Sequence, residues 1–119
     1  MSTPVCHRGE IWLVNFNPGR GSEQKGIRPA FIVQNNVGNQ YAATTIVAAI
    51  TTTLKKYPVT VLLTPPEGRL KEPSMVNLAQ MLTIDKTRLI KRFGSVSVEK
   101  QREIDTAIRV SLGLEEKRE

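Results

Sequence analysis

EIWLVNFN, residues 10–17, is the stretch on which the fold turns. Read as an extended chain, it puts Ile11 and Leu13 on one face and Trp12, Val14 and Phe16 on the other. Both faces are apolar. A strand of that kind lies inside a sheet or in the wall of a barrel, because an ordinary edge strand keeps one face for water. Asn17-Pro18-Gly19 then ends it as a turn.

The rest of the chain supplies partners for such a strand. Before it, residues 1–7 read as a short loose arm carrying a free thiol, Cys6, and an exposed imidazole, His7. After it, a polar loop over 19–27 carries glycines at turn positions, and Pro29 opens an apolar strand over 29–35. Arg28 therefore stands where a loop meets a rigid strand, a place where a side chain is held still. Residues 36–41 read as a turn-rich loop with Gly38-Asn39 at its tip. A β-branched third strand covers 44–50 and runs into Thr51, Thr52 and Thr53.

A fourth strand over 57–63 is broken by Thr64-Pro-Pro-Glu-Gly68, a basic polar loop covers 69–74, and a fifth strand follows over 74–83. Residues 85–89 suit a helical turn and 92–96 a last short strand. Ser97 is a good N-cap for a helix with Ile104, Ala107, Ile108 and Leu112 on one face, and Gly113 fits its end. The expected fold is mainly β: a small, strongly bent antiparallel sheet or barrel with one C-terminal α-helix. It forms a single domain over 1–114, followed by a charged tail over 115–119.

Bulk properties narrow the function. A chain of 119 residues with 39% hydrophobic residues builds one modest core, which leaves room for an obligate partner or a dimer. A net charge of +6 favours an anionic partner, such as nucleic acid, an acidic protein segment or a membrane surface. One cysteine excludes a disulfide framework, and one cysteine beside one histidine excludes a cysteine–histidine metal cluster. The opening residues have no apolar signal segment and no stretch nears the ~20 apolar residues of a membrane span, so a cytoplasmic protein is expected. Neither a GxxxxGK[ST] nor a GxGxxG motif occurs. Arg, Lys, Thr, Ser, Gln, Asn and the loop carboxylate Glu23 remain, a set suited to binding a phosphodiester and stabilising charge at phosphorus. Such a site serves a reaction whose substrate brings its own nucleophile, as RNA does with its 2′-OH.

A series of short motifs then matches a known family in order. They are Arg8-Gly9-Glu10-Ile11-Trp12, Asn17-Pro18 with Gly21-Ser22-Glu23-Gln24, Arg28-Pro29-Ala30, and Gln34-Asn35-Asn36-Val37-Gly38-Asn39. Ile46-Val47-Ala48-Ala49-Ile50-Thr51, Gln80 with Thr83-Ile84-Asp85-Lys86, and Ile108 with Ser111-Leu112-Gly113-Leu114 continue the series. The chain resembles the MazF/PemK toxins of bacterial type II toxin–antitoxin pairs. The resemblance implies an SH3-like β-barrel (CcdB/PemK-like) working as a homodimer. It implies a metal-independent endoribonuclease, with no cofactor, that cuts single-stranded RNA to 2′,3′-cyclic phosphate and 5′-OH ends. It also implies a cognate MazE-like antitoxin whose acidic, flexible segment lies over the RNA groove.

By the same resemblance, Arg28 binds the scissile phosphate and stabilises its developing charge, and Thr51 donates to a phosphate oxygen or the leaving oxygen. Glu23 either takes the 2′-OH proton or orients Arg28. Arg20, Gln24, Lys25, Asn36, Thr52 and Gln80 are the candidate RNA-binding residues. Two positions depart from the commonest pattern: Leu82 replaces an arginine of many relatives, and Lys25 stands where others carry glycine. Two other readings compete. A non-enzymatic gyrase poison resembling CcdB would lack the Arg-Pro and Ile-Thr pieces, and its C-terminal helix would carry the gyrase contact. A small RNA-binding module without activity would want more stacking aromatics than the six present here.

Overall fold

The computed structural model describes residues 3–18 and 25–116. Arg20, Glu23 and Gln24 lie outside them. Six strands form one sheet: β1 (Glu10–Asn15), β2 (Ile27–Ile32), β3 (Thr44–Thr51), β4 (Thr60–Leu63), β5 (Ser74–Asp85) and β6 (Leu89–Ser95). Their order is β4-β5-β3-β2-β1-β6, and every neighbouring pair is antiparallel. Two helices, α1 (Asn36–Tyr41) and α2 (Val98–Ser111), complete the architecture.

The two-faced reading of the first strand holds. Ile11 joins a core with Phe31, Ala48, Ile50, Leu63, Val76 and Leu78, covered by Ile104 and Ala107 of α2. Trp12, Val14 and Phe16 join a second core on the opposite face, with Ala30, Ile32, Val47, Ile84 and Leu89. Adjacent residues on β1, β2 and β3 thus feed different cores, as period-two alternation demands. Leu13 is half-buried and belongs to neither. Leu82 packs against the second core, which gives the departure from the family's arginine an apolar role here.

The sheet curls because its ladders are irregular. Between β3 and β5 the register jumps from Ala48↔Met81 to Ala49↔Asn77, and β1–β6 shifts twice. Extra residues on one strand bend it and increase its twist. The open side is covered by the turn Glu67–Arg69 that follows β4, and that turn sits directly on β1 and β6. Gly68 has φ +57 and a Cβ there would collide with the Ile11 side chain, while a Cβ on Gly94 would lie 3.0 Å from the Gly68 carbonyl carbon. Two glycines therefore permit the closure. The Ser97 N–H donates to Glu67 Oε1 at 2.8 Å, which ties the same turn to the start of α2.

Three local expectations change. The segment 36–41 is a helix rather than a loop, because Asn35 caps it by accepting from the Gly38 N–H and because Asn39 is buried. The Asn39 amide donates to the Gln34 carbonyl at 2.9 Å and accepts from Thr45 Oγ1 at 2.7 Å, so tertiary bonds override a turn-forming sequence. The arm over 3–7 is pinned at one point: Cys6 is 1% exposed in the second core, while Thr3, Val5 and His7 stay exposed. The fourth strand is shorter than expected, since residues 57–59 form a turn closed by Thr60 Oγ1.

Arg8 links the two chain ends. Its Nε donates to the Val33 carbonyl at 3.0 Å, its Nη2 to Asp105 at 2.6 Å, and its backbone N–H to Asn36 Oδ1 at 2.7 Å. Burial would raise the Asp105 carboxyl, but bonds from Arg8 and Gln101 and the Arg8 charge outweigh it and hold the group below its usual range. At the far end of α2, the Arg109 Nε to Glu115 Oε1 contact of 3.0 Å holds the first tail residue.

Candidate active site

The β2–β3 ladder places the candidate catalytic pair. Its register is Ile32↔Val47, Phe31↔Ala48 and Ala30↔Ala49, and there it stops. Continued by two steps, the register would oppose Pro29 to Ile50 and Arg28 to Thr51. The stop has a local cause. The Gly26 and Ile32 carbonyls accept from β1-side residues Phe16 and Gly9, while the Val33 N–H donates to Ile46 on the β3 side. By alternation the backbone at position 29 faces β3, and proline has no N–H to give. Arg28 and Thr51 therefore lie two steps beyond the last rung, near the ends of their strands, and both line one cleft.

A cleft of about 560 Å³ opens at this point. Pro29, Ile50, Leu70 and Phe93 supply its apolar surface. Arg28, Thr51 and Thr52 line it near the ends of β2 and β3. Arg69, Lys71, Glu72 and Ser74, from the segment after β4, and Lys91 and Arg92 of β6 line the rest. Among the described residues, five cations and one carboxylate line the cleft. Of the five, only Arg92 has an ion-pair partner among the described residues, Glu10 at 2.7 Å. An anion entering the cleft meets positive charge that the fold has left unneutralised.

The lining side chains are oriented for a ligand. Arg28 Nε donates to the Lys25 carbonyl at 2.7 Å, which anchors the stem, and its terminal nitrogens have no acceptor among the described residues. Thr51 Oγ1 accepts from the Thr53 N–H at 3.1 Å, so its hydroxyl proton stays available to donate. Ser74 is buried and its Oγ donates to the Glu72 carbonyl at 3.0 Å, fixing the backbone beneath the lone cleft carboxylate. Behind Arg92, Glu10 accepts from Arg92 Nε, Trp12 Nε1 and the His7 N–H at 2.7, 2.9 and 2.7 Å. Burial would raise the Glu10 carboxyl; these bonds and the Arg92 charge hold it below its ordinary value.

Of the sequence candidates, Arg28, Thr51 and Thr52 meet in the cleft. Lys25 is exposed beside it and contributes its carbonyl to Arg28. Asn36 lies past the other end of β2, where its Oδ1 accepts from the Arg8 N–H and from the Asn39 amide. Gln80 sits in the β5 bulge opposite Ala48–Ala49 and does not line the cleft. Arg20, Glu23 and Gln24 are outside the described residues. The sequence reading did not single out Arg69, Lys71, Lys91 or Arg92. The one local signal was Gly68 before Arg69, a turn glycine that sends a cation back over the sheet. Among the described residues, no group of three or more His, Cys, Asp or Glu side chains could hold a metal ion.

Comparison with known proteins agrees with this architecture. The family model described as a PemK-like, MazF-like toxin of type II toxin–antitoxin systems matches residues 7–112. The Endoribonuclease MazF of Staphylococcus saprophyticus is 42% identical over 112 residues, covering 92% of this chain and 93% of that one. A mycobacterial endoribonuclease solved in complex with its cognate antitoxin superposes with a TM-score of 0.79 at 26% identity, over 92% of this chain and 97% of that one. MazF of Deinococcus radiodurans shares the fold with a TM-score of 0.80 at 23% identity, over 92% and 98% of the two chains. A two-core curled sheet closed by a C-terminal helix, with the motifs in family order, is thus matched over nearly the whole length, and the chain belongs to the PemK/MazF family of type II toxins.

Proposed function

We propose that this chain is the endoribonuclease of its toxin–antitoxin pair, cutting single-stranded RNA in the cleft lined by Arg28, Thr51 and β6. The observation that carries the reading is the end of the β2–β3 ladder, where Pro29 stops the pairing and leaves an arginine and a threonine hydroxyl lining a cationic cleft.

The chemistry follows from those groups. The 2′-OH of one nucleotide attacks the adjacent phosphorus, a 2′-O–P bond forms and the P–O5′ bond breaks. The products are a 2′,3′-cyclic phosphate and a 5′-OH, with no external nucleophile. The free terminal nitrogens of Arg28 bind the non-bridging oxygens and stabilise the extra charge of the pentavalent intermediate. The Thr51 hydroxyl donates a hydrogen bond to a phosphate oxygen or to the departing 5′ oxygen, which takes its proton from water. Glu23 takes the 2′-OH proton or steadies Arg28. Arg20, Gln24, Lys25 and Thr52 bind the RNA, and Gln80 and Asn36, which do not line the cleft, bind it outside the cleft.

The partners follow the relatives. A mycobacterial relative is solved with its cognate antitoxin, and we infer an acidic antitoxin that competes with RNA for the cleft cations. A cytoplasmic homodimer without a resident cofactor completes the proposal; light scattering on the purified protein tests the dimer. The decisive experiment incubates a long, defined RNA with antitoxin-free protein in EDTA, followed by primer extension and end-group analysis. Discrete cuts with cyclic-phosphate and 5′-OH ends are expected. Intact RNA from folded protein overturns the reading in favour of a gyrase poison or a binding module.

A further inference from the structure

Arg69 is the described non-glycine residue that adopts a positive φ, +58°, and it follows Gly68 at +57°. Such a backbone is strained for a side chain with a Cβ, and glycine or asparagine suits it better. Packing dictates the conformation. Gly68 lies against Ile11, and a Cβ on Gly94 would stand 3.0 Å from both Arg69 Cγ and the Gly68 carbonyl carbon. The turn is pressed flush onto β1 and β6, which carries the Arg69 stem along Gly94 and makes this exposed cation part of the cleft lining. There it makes no hydrogen bond or ion pair through its side chain among the described residues. A strained backbone that presents an uncompensated cation to a cleft marks a binding position rather than a folding need.

The geometry points to Arg69 as a substrate-binding residue that holds a second RNA phosphate, next to the scissile one, in the cleft it lines together with Arg28 and Thr51. Arg28 acts on the bond that breaks. Arg69 fixes the strand's path across the cleft and so decides which phosphodiester reaches Arg28. This assignment rests on the RNA-cleaving reading above.

Arg69→Gly separates the two roles, because glycine relieves the backbone while removing the charge. The measurements are cleavage kinetics on a single-stranded RNA containing the mapped sequence, anisotropy binding of the uncleavable 2′-O-methyl version, and thermal melting. Arg69→Gly should melt no lower than wild type, keep kcat, raise KM and Kd about tenfold, and reduce the slope of log Kd against log salt by about 0.7. Arg69→Lys should recover part of the affinity and of the slope. If Arg69→Gly binds the 2′-O-methyl RNA as tightly as wild type, with the same salt slope, the assignment is overturned. If wild type binds that RNA without cutting the cleavable one, the endoribonuclease reading fails while the Arg69 comparison is still decided by binding. If wild type neither binds nor cuts, both fall.

Discussion

The two ends of the β2–β3 pair are built on opposite principles. At one end the ladder stops at Pro29, where Arg28 is exposed, Thr51 is half-buried, and neither the terminal nitrogens of Arg28 nor the Thr51 hydroxyl proton has an acceptor among the described residues. At the other end it runs into a closed polar lock. Gln34 Nε2 donates to the Thr44 carbonyl and to Asn39 Oδ1, Thr45 Oγ1 donates to the same Asn39 oxygen, and the buried Lys86 ammonium donates to the Asn39 carbonyl. That lysine thereby neutralises the carbonyl end of α1. No buried side-chain nitrogen or oxygen among the described residues lacks a partner. Family motifs occupy both ends, so a shared motif is not evidence of chemistry. Donors without an acceptor among the described residues accompany the end proposed to react, and saturated donors mark the structural one.

The sharpest way to break this contrast is to remove one group from each end. Arg28→Ala should lower the RNA cleavage rate about 10³-fold, about 4 kcal/mol of transition-state stabilisation, with an unchanged melting temperature. Single-turnover kinetics beside a melting curve checks it, and a lowered melting temperature would place Arg28 in the scaffold instead. Asn39→Leu should do the reverse. It strands the Thr45 hydroxyl and the Gln34 carbonyl, which lose their Asn39 side-chain partners, and denaturant titration should show a loss of about 2–4 kcal/mol while the protein that stays folded retains its kcat.

Smaller effects refine the comparison. Pro29→Ala supplies the missing N–H, so the ladder can add the Pro29–Ile50 rung and draw Arg28 towards Thr51; cleavage should fall about tenfold, with stability little changed. A cleavage rate equal to wild type would detach the ladder stop from function. The smallest effect concerns pH. The Glu10 carboxyl is held below its ordinary value, so its folded form binds fewer protons than the unfolded one near that value. Its contribution is complete above the ordinary carboxylate range and is lost as the pH falls through the lowered folded value. Glu10→Gln should therefore be less stable than wild type at pH 7, with the gap closing in denaturant titrations below about pH 4.5. A gap that persists in acid would assign Glu10 a packing role instead.

How much of this was legible in the sequence depended on the range of the causes. Period-two alternation exposed the two faces of β1, because that signal is local to the strand. Asn36–Tyr41 misled, because its helix is bought by bonds to Gln34 and Thr45 that no local pattern displays. Arg28 and Thr51 came from resemblance; what the structure adds is that both lie just past the last rung of one ladder and line one cleft, though far apart in sequence. Arg69 and Lys91 were invisible, since they reach the cleft only when the turn after β4 closes over β6.

Cys6 has a practical consequence. It is the only cysteine in the chain, it is 1% exposed, and burial raises its thiol pKa despite the Thr45 hydrogen bond and the nearby Lys86 charge. Because the thiolate is the reactive form, the folded protein presents a silent background to maleimide dyes. A cysteine introduced at the exposed position of Tyr41, at the opposite end of the strand pair from the cleft, would then take a fluorophore alone. Such a probe would let RNA capture and antitoxin exchange be timed by energy transfer on a molecule whose native thiol needs no removal.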